Sequence, residues 1–180
     1  MKPSVKSWTA LACLALAGMP IVSGPAAAQT LQEVEARQQA VVEAWEKTPL
    51  TARRAVFVTA PATIYGAFQE RPSNTFKSGE PLYSYVEPVG YAWKSLGNGE
   101  YAFGLTVDFT IKRPNGQVLG GQEKFLNYAQ TSRYRNQEVM VNLTLTISGA
   151  PPGDYIVTYT MRDANSAKTA TIEQPFKIVN

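Results

Sequence analysis

Apolar and polar residues alternate along most of the second half of the chain, and this pattern constrains the fold more than any other feature. From residue 101 to residue 111, every second position is apolar. The same period recurs over residues 139–147 and 155–161. Because residues two apart lie on one face of a strand, each run predicts a β-strand with one buried face. These buried faces need a second layer to cover them, so the pattern favours an antiparallel β fold.

Turn residues divide these runs. Asn and Gly tolerate the positive φ of tight turns, so residues 114–116 (Pro-Asn-Gly) predict a hairpin. The returning strand is predicted over residues 117–126, with a bulge at Gly120-Gly121. Turns at 150–154 and 163–166 then predict that the last three strands form a meander. Its last strand would bury Ala170, Ile172, Phe176 and Ile178.

Shorter candidate strands precede the hairpin, at residues 54–59, 64–69 and 82–86, and residues 128–136 are polar and predict a loop or short helical turn. Together, the predicted segments give seven or eight strands within one domain, residues 51–180. The economical prediction is an all-β fold, an antiparallel immunoglobulin-like β-sandwich, because two sheets that are polar outside can hide their apolar rows between them. A closed barrel is the main structural alternative.

One amphipathic helix is predicted ahead of the strands, within an N-terminal segment of residues 29–50. Thr30 and Glu33 have the spacing of a capping box, and Thr48-Pro49 ends the helix. Two alternatives are open: the helix packs on its own domain, or it is exposed and binds a partner. The candidate interaction residues lie on one face, which Gln38 interrupts: Leu31, Val34, Val41 and Trp45.

Residues 1–28 have the pattern of a signal peptide. Lys2 and Lys6 precede an apolar run, and Ala26-Ala27-Ala28 provides a small-residue cleavage site. The apolar run is shorter than the roughly 20 residues that span a bilayer, so we expect cleavage after Ala28 and no integral membrane span. The predicted location is the periplasm or the extracellular space.

The segment that remains after this cleavage contains no histidine and no cysteine, because the only cysteine of the chain is Cys13. This excludes Ser-His-Asp and Cys-His nucleophile systems and argues against a zinc, haem or iron-sulfur site, so no cofactor and no metal are expected. Removing Lys2 and Lys6 from the 17 basic residues leaves 15 against 14 acidic ones. A charge this close to balance argues against nucleic acid as a partner.

A resemblance to a known group adds to this interpretation. It is carried by residues 76–82 (FKSGEPL), by residues 85–88 (YVEP) and by the stretch from Pro152 to Asp163 with Ser166 and Lys168. In these residues the chain resembles uncharacterised exported bacterial proteins with an immunoglobulin-like β-sandwich domain. The resemblance implies a fold and a compartment, and it implies no reaction.

Three sets of residues are candidates for a functional site. Outward aromatic rings can bind sugars or a protein partner, and here the candidates for ligand binding are Tyr83, Tyr85, Tyr91 and Trp93. Glycoside hydrolysis needs only two carboxylates, for which the candidates are Glu80, Glu87, Asp108 and Glu123. The third set interleaves basic and aromatic residues, which can bind single-stranded nucleic acid, but a nearly neutral chain favours a solvated loop here: Lys124, Tyr128, Arg133, Tyr134 and Arg135.

The sequence therefore favours a non-enzymatic binding or interaction module, whose partner is an unknown protein or glycan of the cell envelope. Two alternatives stay open. One is a carboxylate-dependent hydrolase that acts on polysaccharide, and the other is a structural subunit of an envelope assembly that docks through its helix.

Overall fold

The structure is a computed structural model that describes residues 30–180, so the predicted signal peptide at residues 1–28 lies outside the described residues. Within residues 30–180, one helix precedes nine strands. Their bounds are α1 Leu31–Lys47, β1 Thr51–Val58, β2 Thr75–Lys77, β3 Pro81–Val89, β4 Lys94–Ser95, β5 Tyr101–Lys112, β6 Val118–Ser132, β7 Val141–Thr146, β8 Gly153–Asp163 and β9 Thr169–Val179.

The strands form two sheets. The smaller sheet has three strands in the order β1-β3-β7, and the larger has the order β2-β9-β8-β5-β4, with β6 paired to β5. All pairs are antiparallel except β2 with β9, which is parallel. The predicted all-β class with one N-terminal helix is therefore confirmed, as is the predominance of antiparallel pairing.

Alternate side chains of both sheets join one buried cluster. The inward row of β8 is completely buried, as its alternation predicts, and β7 contributes Val141, Leu143 and Leu145 from the smaller sheet. One polar contact crosses the cluster, where the hydroxyl groups of Ser84 and Tyr159 lie 3.1 Å apart. Burial raises the pKa of the Tyr159 hydroxyl to about 12, so this contact is between neutral groups.

Two of the three hairpins that the sequence predicts are confirmed. In the β5–β6 turn the Gly116 N–H donates to the Arg113 carbonyl, and β8 pairs with β9 across residues 163–168. The bulge prediction is wrong in position. The register of β5 with β6 shifts at Leu119 and again around Lys124, which has a φ of 51°, and not at Gly120-Gly121.

Three further predictions are corrected. Strand β6 continues to Ser132, so the predicted loop at 128–136 begins only at residue 133. Strands β7 and β8 lie in different sheets, so the last three strands do not form a meander. Residues 64–69 are not a strand, because Phe68 packs on Tyr85 and the segment lies against the sheet instead of extending a ladder.

Helix α1 begins with the predicted capping box. The Thr30 hydroxyl accepts from the Glu33 N–H, and the Glu33 carboxylate accepts from the Thr30 N–H. After the helix the chain passes close to Gly90, whose φ is +83°. A Cβ atom on Gly90 would lie 2.4 Å from the Pro49 carbonyl oxygen, so only glycine allows this approach.

We expect Gly90→Ala to lower the free energy of unfolding by about 2–5 kcal/mol, from the positive φ and from the overlap with Pro49 together. Gly116→Ala is the matched control, because Gly116 has a φ of +86° but nothing within 4 Å of the added atom. It should cost only about 1–2 kcal/mol. Urea unfolding of both variants measures the difference, and equal losses would contradict the close approach.

Candidate functional site

A groove of about 780 Å³ runs between helix α1 and the loop of residues 133–138. We call it the helix–loop groove. One wall is the helix, the other wall is the loop, and Tyr101 of β5 also lines the space. Its volume lies within the range of about 300–1,000 Å³ that is typical of ligand sites. The helix contributes Glu35, Gln38, Gln39, Val41 and Val42 to the lining.

An aromatic cluster anchors the C-terminal end of the helix. The Trp45 ring is 5 % exposed and packs edge-on against Tyr91, with the ring centroids 5.1 Å apart. It also stacks on Trp93 at 5.4 Å. The Trp45 indole N–H donates to the Tyr91 carbonyl at 2.9 Å, which satisfies the one polar atom that this burial removes from water.

A lysine fixes the same end of the helix to the sheet. The Lys168 ammonium group donates to the carbonyls of Glu46, Thr48 and Gly90, at 2.9, 2.8 and 2.8 Å. Two of these carbonyls lie at the end of α1, where the unpaired carbonyls and the helix dipole favour a cation. The direction of the helix is therefore fixed by this side chain from the β8–β9 turn together with the Trp45 ring.

Other residues of that turn hold the neighbouring backbone. The Asp163 carboxylate accepts from the Ala92 N–H at 2.8 Å and from the Ser166 hydroxyl at 2.5 Å. The Asn165 side-chain amide donates to the Ala92 carbonyl at 3.2 Å. Asp163, Ser166 and Lys168 carry part of the resemblance. Together they hold the β8–β9 turn against the end of the helix and the backbone that follows β3.

The aromatic cluster also anchors the opposite wall. The Asn136 carbonyl accepts from the Tyr91 hydroxyl at 2.7 Å and from the Trp93 indole N–H at 3.1 Å. Burial raises the pKa of Tyr91, so its hydroxyl remains a donor at any physiological pH. Because the same rings hold the helix and the loop, the width of the helix–loop groove is defined by buried contacts.

The groove itself presents aromatic, cationic and anionic groups. The Arg135 guanidinium lies over the Tyr101 ring, 4.7 Å from its centroid. A guanidinium nitrogen of Arg133 lies 4.0 Å from a carboxylate oxygen of Glu100, and the Arg133 side chain is largely exposed to solvent. Tyr134 is 78 % exposed. This combination is suited to recognition through stacking, apolar contact and charge-assisted hydrogen bonds.

The predicted interaction face of the helix divides into two parts. Leu31 is 73 % exposed, Val34 40 % and Val41 49 %, whereas Trp45 is buried. Only the last turn therefore packs on the β domain, and three apolar side chains are left in solvent. Of the two sequence alternatives, packing on the domain holds for Trp45 and exposure holds for the other three residues.

The predicted aromatic site is not formed as a single surface. Tyr85 was expected to face solvent, and this is wrong because it is fully buried. Residues 59–71 cover that face of the sheet, and Phe68 stacks on the Tyr85 ring at 4.2 Å. Tyr83 is half-buried beside them. Tyr91 and Trp93 pack against the helix instead, so their rings shape the groove from beneath.

Glu87, one of the predicted carboxylates, is buried under the same covering segment. It accepts from the Tyr85 hydroxyl at 3.0 Å and from the Tyr65 hydroxyl at 3.3 Å. The Tyr65 oxygen accepts in turn from Arg53, at 2.8 Å. Burial, followed by the negative charge of Glu87, raises the pKa of Tyr65. The arrangement fastens the covering segment to β3.

The other carboxylates lie on separate elements. Glu80, in the β2–β3 turn, accepts from the Lys77 N–H and pairs with Arg71, both at 2.8 Å. Asp108, on β5, accepts from the Lys124 N–H at 2.8 Å and pairs with Arg162. The backbone hydrogen bonds are the main reason that the pKa values of both carboxyls are lowered. Lowered values are the opposite of what a general acid requires.

Glu123 lies in the irregular part of β6 that faces Asp108 across the hairpin, and it is exposed. The basic and aromatic patch of the sequence is likewise divided. Arg133, Tyr134 and Arg135 line the groove, but Lys124 belongs to the β6 bulge. Tyr128 packs near Phe103, with a centroid distance of 6.2 Å.

Sequence reasoning found both walls of the groove without bringing them together. The helix face and residues 133–135 were candidates for separate reasons, and their proximity depends on contacts between residues more than 40 positions apart. One signal was available in the sequence: the aromatic residues Tyr91 and Trp93 lie outside every predicted strand, so their rings need another surface to pack against.

No helix within residues 30–180 is long and apolar enough to cross a membrane. Across the same residues, the structure forms no group of three or more metal-ligating Cys, Asp or Glu side chains.

No protein-family model matches this sequence, and no curated protein matches it. Several solved structures are distantly similar. The C-terminal domain of Wzt is 12 % identical, with a TM-score of 0.46, and the match covers 76 % of this chain and 77 % of that one. A superoxide reductase from Ignicoccus hospitalis is 9 % identical, with a TM-score of 0.37, covering 84 % and 100 %. A family 123 glycoside hydrolase from Clostridium perfringens is 13 % identical, with a TM-score of 0.37, covering 74 % and 28 %. These likenesses assign no activity to this chain.

We expect carboxyl titration by NMR to place the pKa of Asp108 below its ordinary value of 3.8, because the folded state stabilises its ionised form. The stability that this group contributes is present above that value and is lost as the pH falls through the folded pKa. In Asp108→Asn, the free energy of unfolding should therefore fall less steeply than in the parent as the pH decreases below about 4. A raised pKa at Asp108 would contradict this account.

Proposed function

We propose that this protein is an exported, non-enzymatic interaction module that binds a protein partner through helix α1 and the helix–loop groove. The observation that carries the proposal is a helix that is anchored at its C-terminal end and whose apolar side chains face solvent. Leu31, Val34 and Val41 are exposed, whereas Trp45 and Lys168 fix the C-terminal end of the helix to the β domain.

An isolated helix of this length is only marginally stable in water. Its apolar row therefore gains stability when a partner covers it. Contiguous exposed apolar patches that are rimmed by polar residues mark sites of interaction with other proteins. The helix–loop groove adds residue types that are enriched where binding energy concentrates, with Tyr134 and Arg135 beside the helix.

These features favour a protein over a glycan at this surface. Three aliphatic side chains along a helix fit the apolar face of another protein element, as in helix-in-groove recognition. A permanent partner would make the molecule a structural subunit of an envelope assembly, and a transient one would make it an adaptor. Both use the same surface.

In this proposal the β domain serves as a scaffold. The two sheets would be the layers of an immunoglobulin-like β-sandwich, which is supported by the single buried cluster that both sheets share. Export is supported by the signal pattern of residues 1–28. A non-enzymatic role is supported by the absence of histidine from the sequence and by the separation of the candidate carboxylates.

Site-specific photo-crosslinking in the native host tests the proposal. A photoreactive amino acid at Val34 or Val41 should give adducts of discrete mass, because both positions lie on the proposed contact face. The same amino acid at Ala36 or Glu43 is the matched control, since at 100° per residue both lie on the opposite face of the helix. Adducts of equal yield from both faces, or none from Val34 and Val41, would contradict the proposal.

A second measurement separates loss of binding from loss of folding. The variant Leu31→Ser/Val34→Ser/Val41→Ser should stay within about 0.5 kcal/mol of the parent for each exposed position, because these side chains lie largely in solvent. In cells it should remove the crosslink formed from the neighbouring Gln38. A crosslink that persists in this folded variant would show that the apolar row is not the contact.

A further inference from the structure

The sequence contains two Asn-Gly pairs, Asn98-Gly99 and Asn115-Gly116, and each lies in the turn of a β-hairpin. The first pair lies between β4 and β5, and the second lies between β5 and β6. All four residues are exposed to solvent. In an Asn-Gly pair the backbone nitrogen of the glycine can attack the side-chain carbonyl carbon of the asparagine, because glycine has no Cβ atom to obstruct the approach. Both pairs are therefore candidates for spontaneous deamidation.

The two turns are closely matched in the geometry of the asparagine. The Asn98 side-chain carbonyl accepts from the Glu100 N–H at 3.2 Å, and the Asn115 side-chain carbonyl accepts from the Gln117 N–H at 3.1 Å. Each bond forms an Asx-turn, which holds the side-chain amide beside the backbone that follows it. The φ values of the two glycines are also similar, +78° and +86°, and a Cβ atom on either would meet nothing within 4 Å. The carbonyl that is attacked and the space around it are thus alike in both turns.

The two turns differ in the nitrogen that attacks. The Gly116 N–H donates to the Arg113 carbonyl at 2.9 Å. Among residues 30–180, by contrast, the Gly99 N–H has no hydrogen-bond acceptor. The amide nitrogen must lose its proton before it attacks, and a hydrogen bond that the N–H donates stabilises the protonated form. The Gly99 nitrogen is therefore the more reactive of the two.

We propose that Asn98 is a site of spontaneous deamidation in the folded protein, whereas Asn115 is protected. The Gly99 nitrogen loses its proton and forms a bond to the Asn98 side-chain carbon. The bond from that carbon to the side-chain nitrogen breaks, and this nitrogen takes up a proton and leaves as ammonia. Water then adds across one of the two C–N bonds of the cyclic imide, which gives aspartate or isoaspartate. Water is the only co-reactant, and the modification does not depend on the proposed protein partner.

The new charge lies beside the helix–loop groove. At present the Asn98 side-chain nitrogen donates to one Glu100 carboxylate oxygen at 2.8 Å, and the other oxygen lies 4.0 Å from the Arg133 guanidinium. Deamidation replaces this donor by a second carboxylate, and like charges at this separation repel each other. Because Arg133 lines the groove, deamidation of Asn98 changes the charge beside one wall of the proposed binding surface.

The test is to incubate the folded protein at mildly alkaline pH in water enriched in heavy oxygen, and then to map its peptides by mass spectrometry. Heavy oxygen enters only the residues that are deamidated during the incubation. Product at Asn98 should form roughly two- to tenfold faster than at Asn115, which is the ratio that one backbone hydrogen bond accounts for. In urea both turns are lost, so the two rates should approach each other. Equal rates in the folded protein, a faster reaction at Asn115, or no product at either residue overturns the proposal.

Substitutions separate the modification from its consequence. Asn98→Gln keeps the amide but requires a larger ring, so product at position 98 should disappear while the reaction at Asn115 is unchanged. Product that persists at position 98 would contradict the mechanism. Asn98→Asp carries the charge of the product and should shift the backbone amide NMR signals of residues 133–138. Asn115→Asp, at the opposite end of β5, is the matched control and should leave these signals unchanged. Equal shifts in both variants, or none in Asn98→Asp, would show that the charge does not reach the groove.

Discussion

The Lys168 ammonium group is the contact on which the functional surface depends. This group donates to the carbonyl of Glu46 at the end of α1, to that of Thr48, which caps the helix, and to that of Gly90 between β3 and β4. Hydrogen bonds from a charged donor contribute about 1.5–3 kcal/mol each. The geometry also requires Gly90, because a larger residue would push the linker away from the sheet. Without this junction the helix would have only the Trp45 ring to define its direction.

A rigid helix with an exposed apolar row differs physically from a flexible tail with the same sequence. Holding the helix in place before binding reduces the conformational entropy that association must overcome. The aromatic cluster extends the same effect to the loop of residues 133–138, since Tyr91 and Trp93 both donate to Asn136. The chain thus uses its buried aromatics to position the surface that its exposed residues form.

The sequence predicted what depends on local periodicity and missed what depends on tertiary contact. Alternation located β5, β8 and β9 and their buried rows, and the capping box located α1. Alternation does not say which sheet a strand joins, so β7 and β8 were placed together although a sheet boundary separates them. It also could not show that Phe68 would cover Tyr85. The helix–loop groove required contacts between distant residues that no local pattern encodes.

The central claim is that α1 has one fixed direction on the β domain while its apolar row stays exposed. Spin labels at Ala36→Cys and Glu123→Cys test it directly, because the segment after the predicted leader has no cysteine of its own. Pulsed electron paramagnetic resonance should give a single narrow distance distribution, which Lys168→Met should broaden. A distribution in the parent protein that is as broad as in the Lys168→Met variant would contradict the account.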